Sequence, residues 1–541
     1  MSRNPASDPR SLRVSLTILW GLIGAELLAI LVANDGQFLF TLDDPYIHLA
    51  LAENLWQGNY GVNVGEVSSP ASSVLWPFVI MPFAQWSAAW VAILIVNTIA
   101  ASLTVWVFWK FLEGLAGPSF LRIGVLLGLM LVGNVVGLVL TGMEHSLQLL
   151  LCVSILYGLL KTLRDAQTPR WLPWVMILAP LIRFECLALT VPTMFALALN
   201  GQRRDAALAL LGTVATLSGF SLFLVSRGME ELPASVLAKT MLETPSWSEM
   251  VLTHIEYSFG KPSGQLLALL LLPLIYGLRF GSTVARTLSG VAVAGVILHL
   301  MFGNFGWYDR YEAYVRVSAA AVAVFAGWNR LASWADRLGR FGVAATVVAL
   351  TAMMAPGAWW VLLSTPLAAQ DLYRQQFQMH RFVVDYWRRP VGINDLGLIS
   401  YRNPDYVLDL FGLTSNDRRL ARITQRPGWM EEAVARHDVY LAMLYEKWFP
   451  VLPSNWRKLG DMTLQREHIA VASGRVGVYA IGEICDSELR ALLEKFVPTL
   501  PEGASFEWAT PDVADHEHRQ HCPAPNHDRL SRLGIPRSGR G

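Results

Sequence analysis

The stretch TLDDPYIHLALAENLWQGNYGVNVGEVSSPASS, residues 41–73, separates two apolar segments that are each long enough to cross a membrane. Asp43 and Asp44 follow directly after the first of these segments, at 12–34. A carboxylate near the boundary of a bilayer carries a desolvation cost, which favours a functional role for it. Desolvation also raises the pKa of a carboxyl group, as a general base requires. We therefore expect Asp43 to be catalytic.

The residues after Asp43 have the signals of a helix start. Asp44 suits the N-cap, and Pro45 suits the first turn, where its missing N–H costs nothing. Apolar residues then recur every four positions at Ile47, Leu51 and Leu55. Gly58 suits the helix end. This pattern predicts a helix that lies along the membrane surface, and it leaves open whether Asp44 is a helix cap or a ligand-binding residue.

The composition indicates a membrane protein. Of the 541 residues, 53% are hydrophobic and only 16% are charged, and the mean hydropathy is +0.38. Soluble domains have roughly 25% charged residues. The formal net charge of +1 gives no electrostatic reason to expect nucleic acid as a partner.

Apolar runs of spanning length are spread over the first two thirds of the chain. They fall at 12–34, 87–110, 121–140, 145–163, 205–226, 263–280, 284–302, 312–330 and 341–363. The stretch 171–200 is interrupted at Arg183-Phe184-Glu185 and is interpreted as two short spans. The chain is thus predicted to be an α-helical polytopic membrane protein with about eleven transmembrane helices.

The orientation follows from the basic residues of the short loops. If residues 1–11 are cytoplasmic, the Lys- and Arg-rich loops share the cytoplasmic side, as the positive-inside rule requires. The first outer loop, 35–86, then belongs to a transmembrane domain at 12–371 and faces outward. An odd number of spans places the C-terminal part outside. We expect a multi-pass protein of the bacterial inner (plasma) membrane.

The texture changes at about Leu372. Strand-like pieces at 391–395, 406–413 and 476–483 alternate with a helix-like piece at 430–437. This alternation predicts a soluble outer α/β domain at 372–510. The polar segment 511–541 is predicted to be disordered.

The cysteines and the tail give weaker signals. Cys152 and Cys186 lie in apolar runs and are expected to be inert core thiols. Whether Cys485 and Cys522 form a disulfide stays open. The tail also contains His516, His518, His521 and His527, but their spacing fits no zinc site.

Polar residues at the predicted outer rim are the candidates for binding the donor or the acceptor. They are Asp44, His48, Glu144, His145, Arg183, Glu185, Lys239, Arg310 and Tyr311. Guanidinium groups bind phosphate through two hydrogen bonds, which favours a phosphate-bearing ligand. Interface anchoring and ion pairing among these residues are the alternatives.

The chain resembles the multi-spanning glycosyltransferases of the GT-C class, and within them the bacterial branch that contains the cell-wall arabinofuranosyltransferases. The resemblance is carried by ordered motifs: DDPYIHLALAENLWQGNYGVNVGE at 43–66, SSPASSVLWP at 68–77, TGMEHSLQ at 141–148, LIRFECLAL at 181–189, LPASVLAKT at 232–240, VGINDLGLISY at 391–401 and VLDLFGL at 407–413. The chain departs from the family at Phe184, where proline is usual, and at Ala234, where asparagine is frequent.

The resemblance implies an inverting transfer at the outer face of the membrane. The donor would be a sugar on a polyprenyl monophosphate, and the acceptor a hydroxyl of a glycan, lipid or protein. Asp43 would take the acceptor proton. Arg310, with Arg183 or Lys239 as second candidate, would stabilise the departing phosphate. A divalent cation stays open as an additional cofactor.

The main alternative is a transporter or flippase for a lipid-linked sugar. Transporters place charged or helix-breaking residues near the middle of the membrane, usually in paired repeats. Here the predicted spans are nearly free of charge and the polar groups lie at one rim, which favours the enzyme.

Overall fold

The computed structural model describes residues 9–239, 247–482 and 486–510. Within them, the first part of the chain is helical. Its helices in chain order are α1 (Pro9–Ala33), α2 (Asp44–Trp56), α3 (Trp76–Ala84), α4 (Ala89–Phe111), α5 (Ser119–Val132), α6 (Val135–Leu140), α7 (His145–Asp165), α8 (Leu172–Ile182), α9 (Leu187–Leu199), α10 (Arg203–Ser226), α11 (Ala234–Lys239), α12 (Trp247–Phe259), α13 (Pro262–Leu269), α14 (Leu271–Phe280), α15 (Thr283–Phe302), α16 (Ala313–Met354), α17 (Pro356–Arg374) and α18 (Gln376–Arg381).

Among the described residues, 7 helical segments are long and apolar enough to cross a membrane. They are α1, α4, α7, α10, α13 together with α14, α15 and α16. Their apolar residues occupy the outside as well as the core, since Leu28, Leu211 and Leu272 are 63%, 68% and 66% exposed. Lipid, unlike water, accommodates such an apolar exterior, and these helices therefore indicate a multi-pass membrane protein. The expected total of about eleven spans stays a prediction.

Two of the predicted spans are not continuous helices. The segment 121–140 is divided at Asn134, whose left-handed backbone (φ 49°) separates α5 from α6. The segment 341–363 is divided at Ala355, between α16 and α17. The interruption expected at Arg183 is present, because this residue is extended (φ −152°) and a 3₁₀ turn at Phe184–Cys186 follows it.

The helix α2 corrects the expected surface helix. It begins at Asp44, so the N-cap position belongs to Asp43 rather than to Asp44. All residues from Pro45 to Ala52 are buried. Ile47 packs in the core of the C-terminal domain, and Leu51 packs with Tyr60 on another side. The prediction was wrong because small and apolar residues fill the remaining faces, so a period of four did not imply one wet face.

The C-terminal part contains the expected small sheet. Its strands are β1 (Val391–Ile393), β2 (Val407–Asp409), β3 (Leu441–Leu444), β4 (Trp456–Leu464), β5 (Arg475–Ile481) and β6 (Ala504–Trp508). Its helices are α19 (Gly397–Ser400), α20 (Asn416–Ile423), α21 (Trp429–Arg436) and α22 (Asp486–Phe496), and a π-helix at Phe382–Trp387 continues α18. The predicted strand and helix pieces in this part are confirmed.

The sheet has the strand order β2-β1-β3-β5-β4-β6, parallel in β2-β1-β3 and antiparallel in the rest. Apolar side chains cover both faces. Phe382, Leu493 and Phe496 lie in the cluster on one face, and Met430 and Val434 lie in the cluster on the other. Ile47 and Ala50 of α2 and Val62 of the following loop belong to the first of these clusters. The first loop and the C-terminal domain therefore share one hydrophobic core.

The two buried cysteines Cys152 and Cys186 lie 3.6 Å apart between their sulfur atoms. Cys485 and Cys522, the histidine-containing tail and the start of the chain up to residue 8 lie outside the described residues.

Candidate functional site

The loop between α1 and α4 is fixed from two sides. On the membrane side, the Thr41 amide donates to the Leu140 carbonyl at 3.1 Å. On the domain side, Asn63 pairs with the backbone of Val407 in β2 through two hydrogen bonds of 3.0 and 2.9 Å. Glu66 accepts from the Tyr406 hydroxyl at 2.7 Å. Long-range hydrogen bonds thus hold this loop between the helical and the α/β parts.

Asp43 is buried where the two parts meet. Its Oδ2 accepts from the Gly397 amide at 2.6 Å and its Oδ1 from the Leu398 amide at 2.8 Å, and the residue keeps 9% exposure. Its side chain also hydrogen-bonds to Asp395. Burial, with Asp395 as the second cause, raises the pKa of Asp43 well above its usual range. Asp43 is thus a desolvated carboxyl group next to a second one.

Asp44 points to a different partner. Its Oδ2 accepts from Nη2 of Arg310, and the side chain is 25% exposed. The same Nη2 of Arg310 lies 3.1 Å from the Tyr311 hydroxyl. Nε and Nη1 of Arg310 are buried and have no hydrogen-bond partner among the residues that the structure describes. A buried guanidinium with spare donors is suited to bind an anion.

A strained turn presents Arg310 to the site. Trp307, Tyr308 and Asp309 all have left-handed backbones, with φ of 42°, 68° and 54°. Left-handed conformation costs a side-chain-bearing residue roughly 1–2 kcal/mol. The Asn134 amide group compensates by donating to the carbonyls of Tyr308 and Asp309, each at 3.3 Å. Several consecutive residues of this kind therefore indicate a segment held in place by its surroundings.

Ion pairs and side-chain bonds complete the support of this turn. Asp309 accepts from both terminal nitrogens of Arg316, one of them at 2.8 Å. The Tyr308 hydroxyl donates to Thr365 at 3.0 Å, and the Gly306 amide donates to Glu312 at 3.0 Å. The position of Arg310 is thus fixed by residues that do not face the site.

A second charged cluster surrounds Glu144 and Arg183. Nη1 of Arg183 lies 2.9 Å from Glu144 and 2.8 Å from the Ser72 hydroxyl. Nε and Nη2 of Arg183 both contact Glu185, at 3.1 and 2.5 Å. His48 approaches Glu144 at 3.7 Å. Burial would raise the pKa of Glu144, but His48 and Arg183 outweigh it and hold that pKa below its usual range.

Tyr311 connects the two clusters. The guanidinium carbons of Arg183 and Arg310 lie 5.8 and 4.9 Å from its ring centroid. The ring of His145 lies edge-on to it, with 6.2 Å between centroids. These distances permit cation–π and edge-to-face contacts. Asp44, His48, Glu144, His145, Arg183, Glu185, Arg310 and Tyr311 are thereby gathered around one ring or its direct partners.

Lys239 is the exception among the candidates. It is the last residue of α11, and its side chain lies outside the part of the chain that is described. Its relation to the clusters stays a prediction.

Sequence reasoning missed three features of this region. Asp395, which contacts Asp43, lies within the motif at 391–401, but nothing in that motif indicates a role for it. The pair Asp309–Arg316 was not anticipated. Ser72, which bridges Glu144 and Arg183, was not anticipated either. The only signal in the sequence was the presence of polar residues in otherwise apolar surroundings.

The donors for a metal ion are not gathered in the described residues. Within them, no group of three or more His, Cys, Asp or Glu side chains is placed to hold one. The question of a divalent cation stays open, and the reaction proposed for this site does not depend on one.

Two cavities lie beside the clusters. A polar one of about 490 Å³ has Lys261, Asn304, Trp307 and Tyr311 in its wall. An apolar one of about 560 Å³ runs between α1 and α4, and Trp20, Trp90 and Leu140 are in its wall. The apolar groove leads toward Asp43, because Leu140 accepts from Thr41, two residues before it.

Comparisons with known proteins give limited information. Residues 368–479 match a family model described as "Domain of unknown function (DUF8728)". No curated protein matches the chain. Among solved structures, the chain is similar to a mutant of the arabinofuranosyltransferase AftD from Mycobacteria, with a TM-score of 0.44 and 14% identity, over 89% of this chain and 42% of that chain. This chain thus spans less than half the length of that one. A TM-score this low assigns neither a fold nor a function.

Proposed function

We propose that the protein is a membrane glycosyltransferase that moves a sugar from a polyprenyl-monophosphate donor to a hydroxyl of a glycan, lipid or protein acceptor at the outer face of the bacterial inner membrane. One observation carries the proposal. A carboxyl group of raised pKa, on Asp43, is adjacent in sequence to Asp44, which pairs with a buried guanidinium with spare donors, on Arg310. A base beside an anion-binding cation is what such a transfer requires.

The reaction needs one base and one stabilised leaving group. Asp43 accepts the proton of the acceptor hydroxyl while the acceptor oxygen bonds to C1 of the sugar. The bond between C1 and the phosphate oxygen breaks, and the configuration at C1 inverts. Arg310 stabilises the charge that grows on the departing phosphate through Nε and Nη1, which have no partner in the described part of the chain.

Arg310 is favoured over Arg183 for this role by its hydrogen bonds. All three nitrogens of the Arg183 guanidinium contact Glu144, Glu185 or Ser72. Only one nitrogen of Arg310 has partners among the described residues, and these are Asp44 and Tyr311. Arg183 therefore neutralises its own carboxylates, and Lys239 remains a second candidate.

The other gathered residues would orient the substrates. The partly exposed Asp44 would accept from a sugar or acceptor hydroxyl, and Tyr311 would stack beside the sugar ring. His48, His145, Glu144 and Glu185 would hold Arg183 and Tyr311 in place through their contacts with these two residues and with one another. Because an apolar groove leads toward Asp43, a prenyl chain has a place to lie.

A deletion strain tests the proposal for any sugar. Mass spectrometry of its lipids is expected to show an accumulated polyprenyl-phosphate sugar, together with a glycan, lipid or protein that lacks one residue. The wild-type gene should restore the product. Asp43→Asn should not restore it, although it should be inserted in the membrane at wild-type level.

Asp385→Asn serves as the matched control, because Asp385 is exposed on the C-terminal domain. It should restore the product fully. Restoration by Asp43→Asn would contradict the proposal. A lipid-linked sugar that accumulates on one leaflet, with transfer intact in detergent extracts, would support the transporter or flippase instead.

A further inference from the structure

The carboxyl ends of two parallel strands meet at Asp43. Asp395 lies two residues beyond the end of β1, and Tyr445 lies directly beyond the end of β3. The Asn394 side chain ties the two ends together by accepting from the Tyr445 amide at 2.6 Å. Because β1 connects to β2 on one side and pairs with β3 on the other, this is the point where the strand order reverses. Ligand and catalytic sites of open parallel sheets form at such points.

Asp395 is held there by its own partners. Its Oδ2 accepts from Gln376 at 3.0 Å and lies 3.2 Å from the Tyr445 hydroxyl. The hydroxyl in turn lies 2.7 Å from Gln375. These bonds fix the Asp395 carboxyl group beside Asp43, with which it hydrogen-bonds.

The backbone after Asp395 fits Asp43 closely. The Gly397 and Leu398 amides at the start of α19 donate to both oxygens of Asp43. A Cβ at position 397 would lie 2.5 Å from Asp43 Oδ2 and 2.6 Å from its Cγ, far inside contact distance. Glycine is thus required for this approach. The C-terminal domain surrounds the proposed base with a second carboxyl group and two amides.

We propose that Asp395 is a positioning residue of the C-terminal domain that shares a single proton with Asp43, so that this domain completes the active site. The inference rests on the proposed function of Asp43. Two carboxyl groups can hydrogen-bond to each other only when one of them carries a proton. Such a pair carries one negative charge and can accept one more proton.

The transfer step balances in atoms and in charge. The acceptor hydroxyl gives its proton to the pair, which goes from one proton to two and from one negative charge to none. The acceptor oxygen forms the bond to C1, and the electron pair of the broken C1–O bond stays on the phosphate. The lipid phosphate thereby goes from a diester with one negative charge to a monoester with two.

Other titratable groups also face the pair. Asp44 adds negative charge and raises the pKa of both partners. The hydroxyls of Tyr46 and Tyr445 are buried beside Asp43, and both have a raised pKa, so they stay neutral in the working range. The acidic limb of the rate profile therefore reports the pair.

Two substitutions shift this limb in opposite directions. Asp395→Asn removes the neighbouring carboxyl group, so the acidic limb of kcat should move down by about one pH unit, and kcat at neutral pH should fall about tenfold. Tyr445→Phe removes a hydrogen bond that stabilises the ionised pair, so the limb should move up. A residue that only supports the fold would lower the amount of folded protein and leave the limb in place.

A measurement without substrate separates this inference from the proposed function. Infrared difference spectroscopy of protein labelled with ¹³C-aspartate detects the C=O stretch of a protonated carboxyl group. The band should be present in the wild type near neutral pH and absent in Asp43→Asn. Its titration should move down in Asp395→Asn and stay unchanged in the control Asp385→Asn.

The outcomes are distinct. An unchanged titration and an unchanged acidic limb in Asp395→Asn would overturn the shared proton while leaving the enzyme intact. A shifted band in a protein that consumes no polyprenyl-phosphate sugar would keep the pair and overturn the proposed function. If Asp395→Asn does not fold, the upward shift expected for Tyr445→Phe decides the inference.

Discussion

The Arg310 guanidinium donates to the Asp44 carboxylate, and 266 positions of sequence separate the two residues. Arg310 is 1% exposed, whereas the Asp44 side chain is 25% exposed. The pair therefore joins the interior of the helical part to the surface of the first loop. A cation in this position can face a ligand on the loop side without being solvated itself, which strengthens its attraction for an anion.

Arg310→Lys should lower kcat/KM by about 10²–10³-fold, the usual cost of losing one preorganised donor to a developing charge. Lysine keeps the charge but cannot offer two parallel N–H groups to phosphate while it contacts Asp44. Steady-state kinetics with a polyprenyl-phosphate sugar measure the loss. Arg337→Lys, at an exposed position on α16, should be unchanged. Wild-type kinetics in Arg310→Lys would rule out phosphate stabilisation through the guanidinium fork.

Gly397→Ala should separate the first loop from the C-terminal domain. The added Cβ has no room beside Asp43, so the two amide bonds to its carboxylate have to lengthen. Limited proteolysis should cut the loop faster, and activity should fall at least about tenfold. Gly327→Ala is the control, because a Cβ there meets nothing within 4 Å. Equal proteolysis of Gly397→Ala and wild type would contradict the close approach.

Arg183→Gln should destabilise the protein by about 3–5 kcal/mol, since it leaves buried carboxylates without their cation. Glu144 is fully buried and Glu185 is partly buried beside Arg183. Thermal unfolding in detergent measures the change. The double variant Arg183→Gln/Glu144→Gln should recover part of the loss, because it removes one of the stranded charges. A double variant that is less stable than Arg183→Gln would show that charge pairing is not the cause.

Glu312 should make stability fall as the pH rises. Burial, with Asp309 as the next cause, raises the pKa of Glu312 from 4.5 to about 7. A carboxyl group whose pKa is higher in the folded chain contributes stability that is present below its unfolded pKa and lost as the pH rises through the folded value. Unfolding midpoints measured across pH 4.5 to 7 should show this slope. Glu312→Gln should remove it, and Glu256→Gln, at an exposed position on α12, should keep it.

A reporter fused after Gly541 should be active only outside the cytoplasm. This follows from the basic loops that share the side of the N-terminus and from an odd number of spans. Alkaline phosphatase and green fluorescent protein fusions give opposite signals on the two sides. A fluorescent, phosphatase-inactive pair would mean that the number of spans is even.

The sequence by itself determined the features that depend on neighbouring residues. The apolar runs, the interruption at Arg183 and the strand pieces near 391–395 and 476–483 were predictable, because length, composition and local periodicity fix them. The arrangement of candidate residues at one rim was predictable as a set, because alternate loops of a spanning chain share a side.

Only the tertiary structure decided which of these residues meet. The contact of Asp43 with Asp395, the burial of α2 and the left-handed turn before Arg310 all depend on segments far apart in sequence. Asp43 and Asp44 are neighbours with the same side chain, yet one is enclosed by backbone amides of the α/β domain and the other pairs with a guanidinium. No local pattern distinguishes them, because a side chain's pKa and partners are set by the surroundings that folding brings to it.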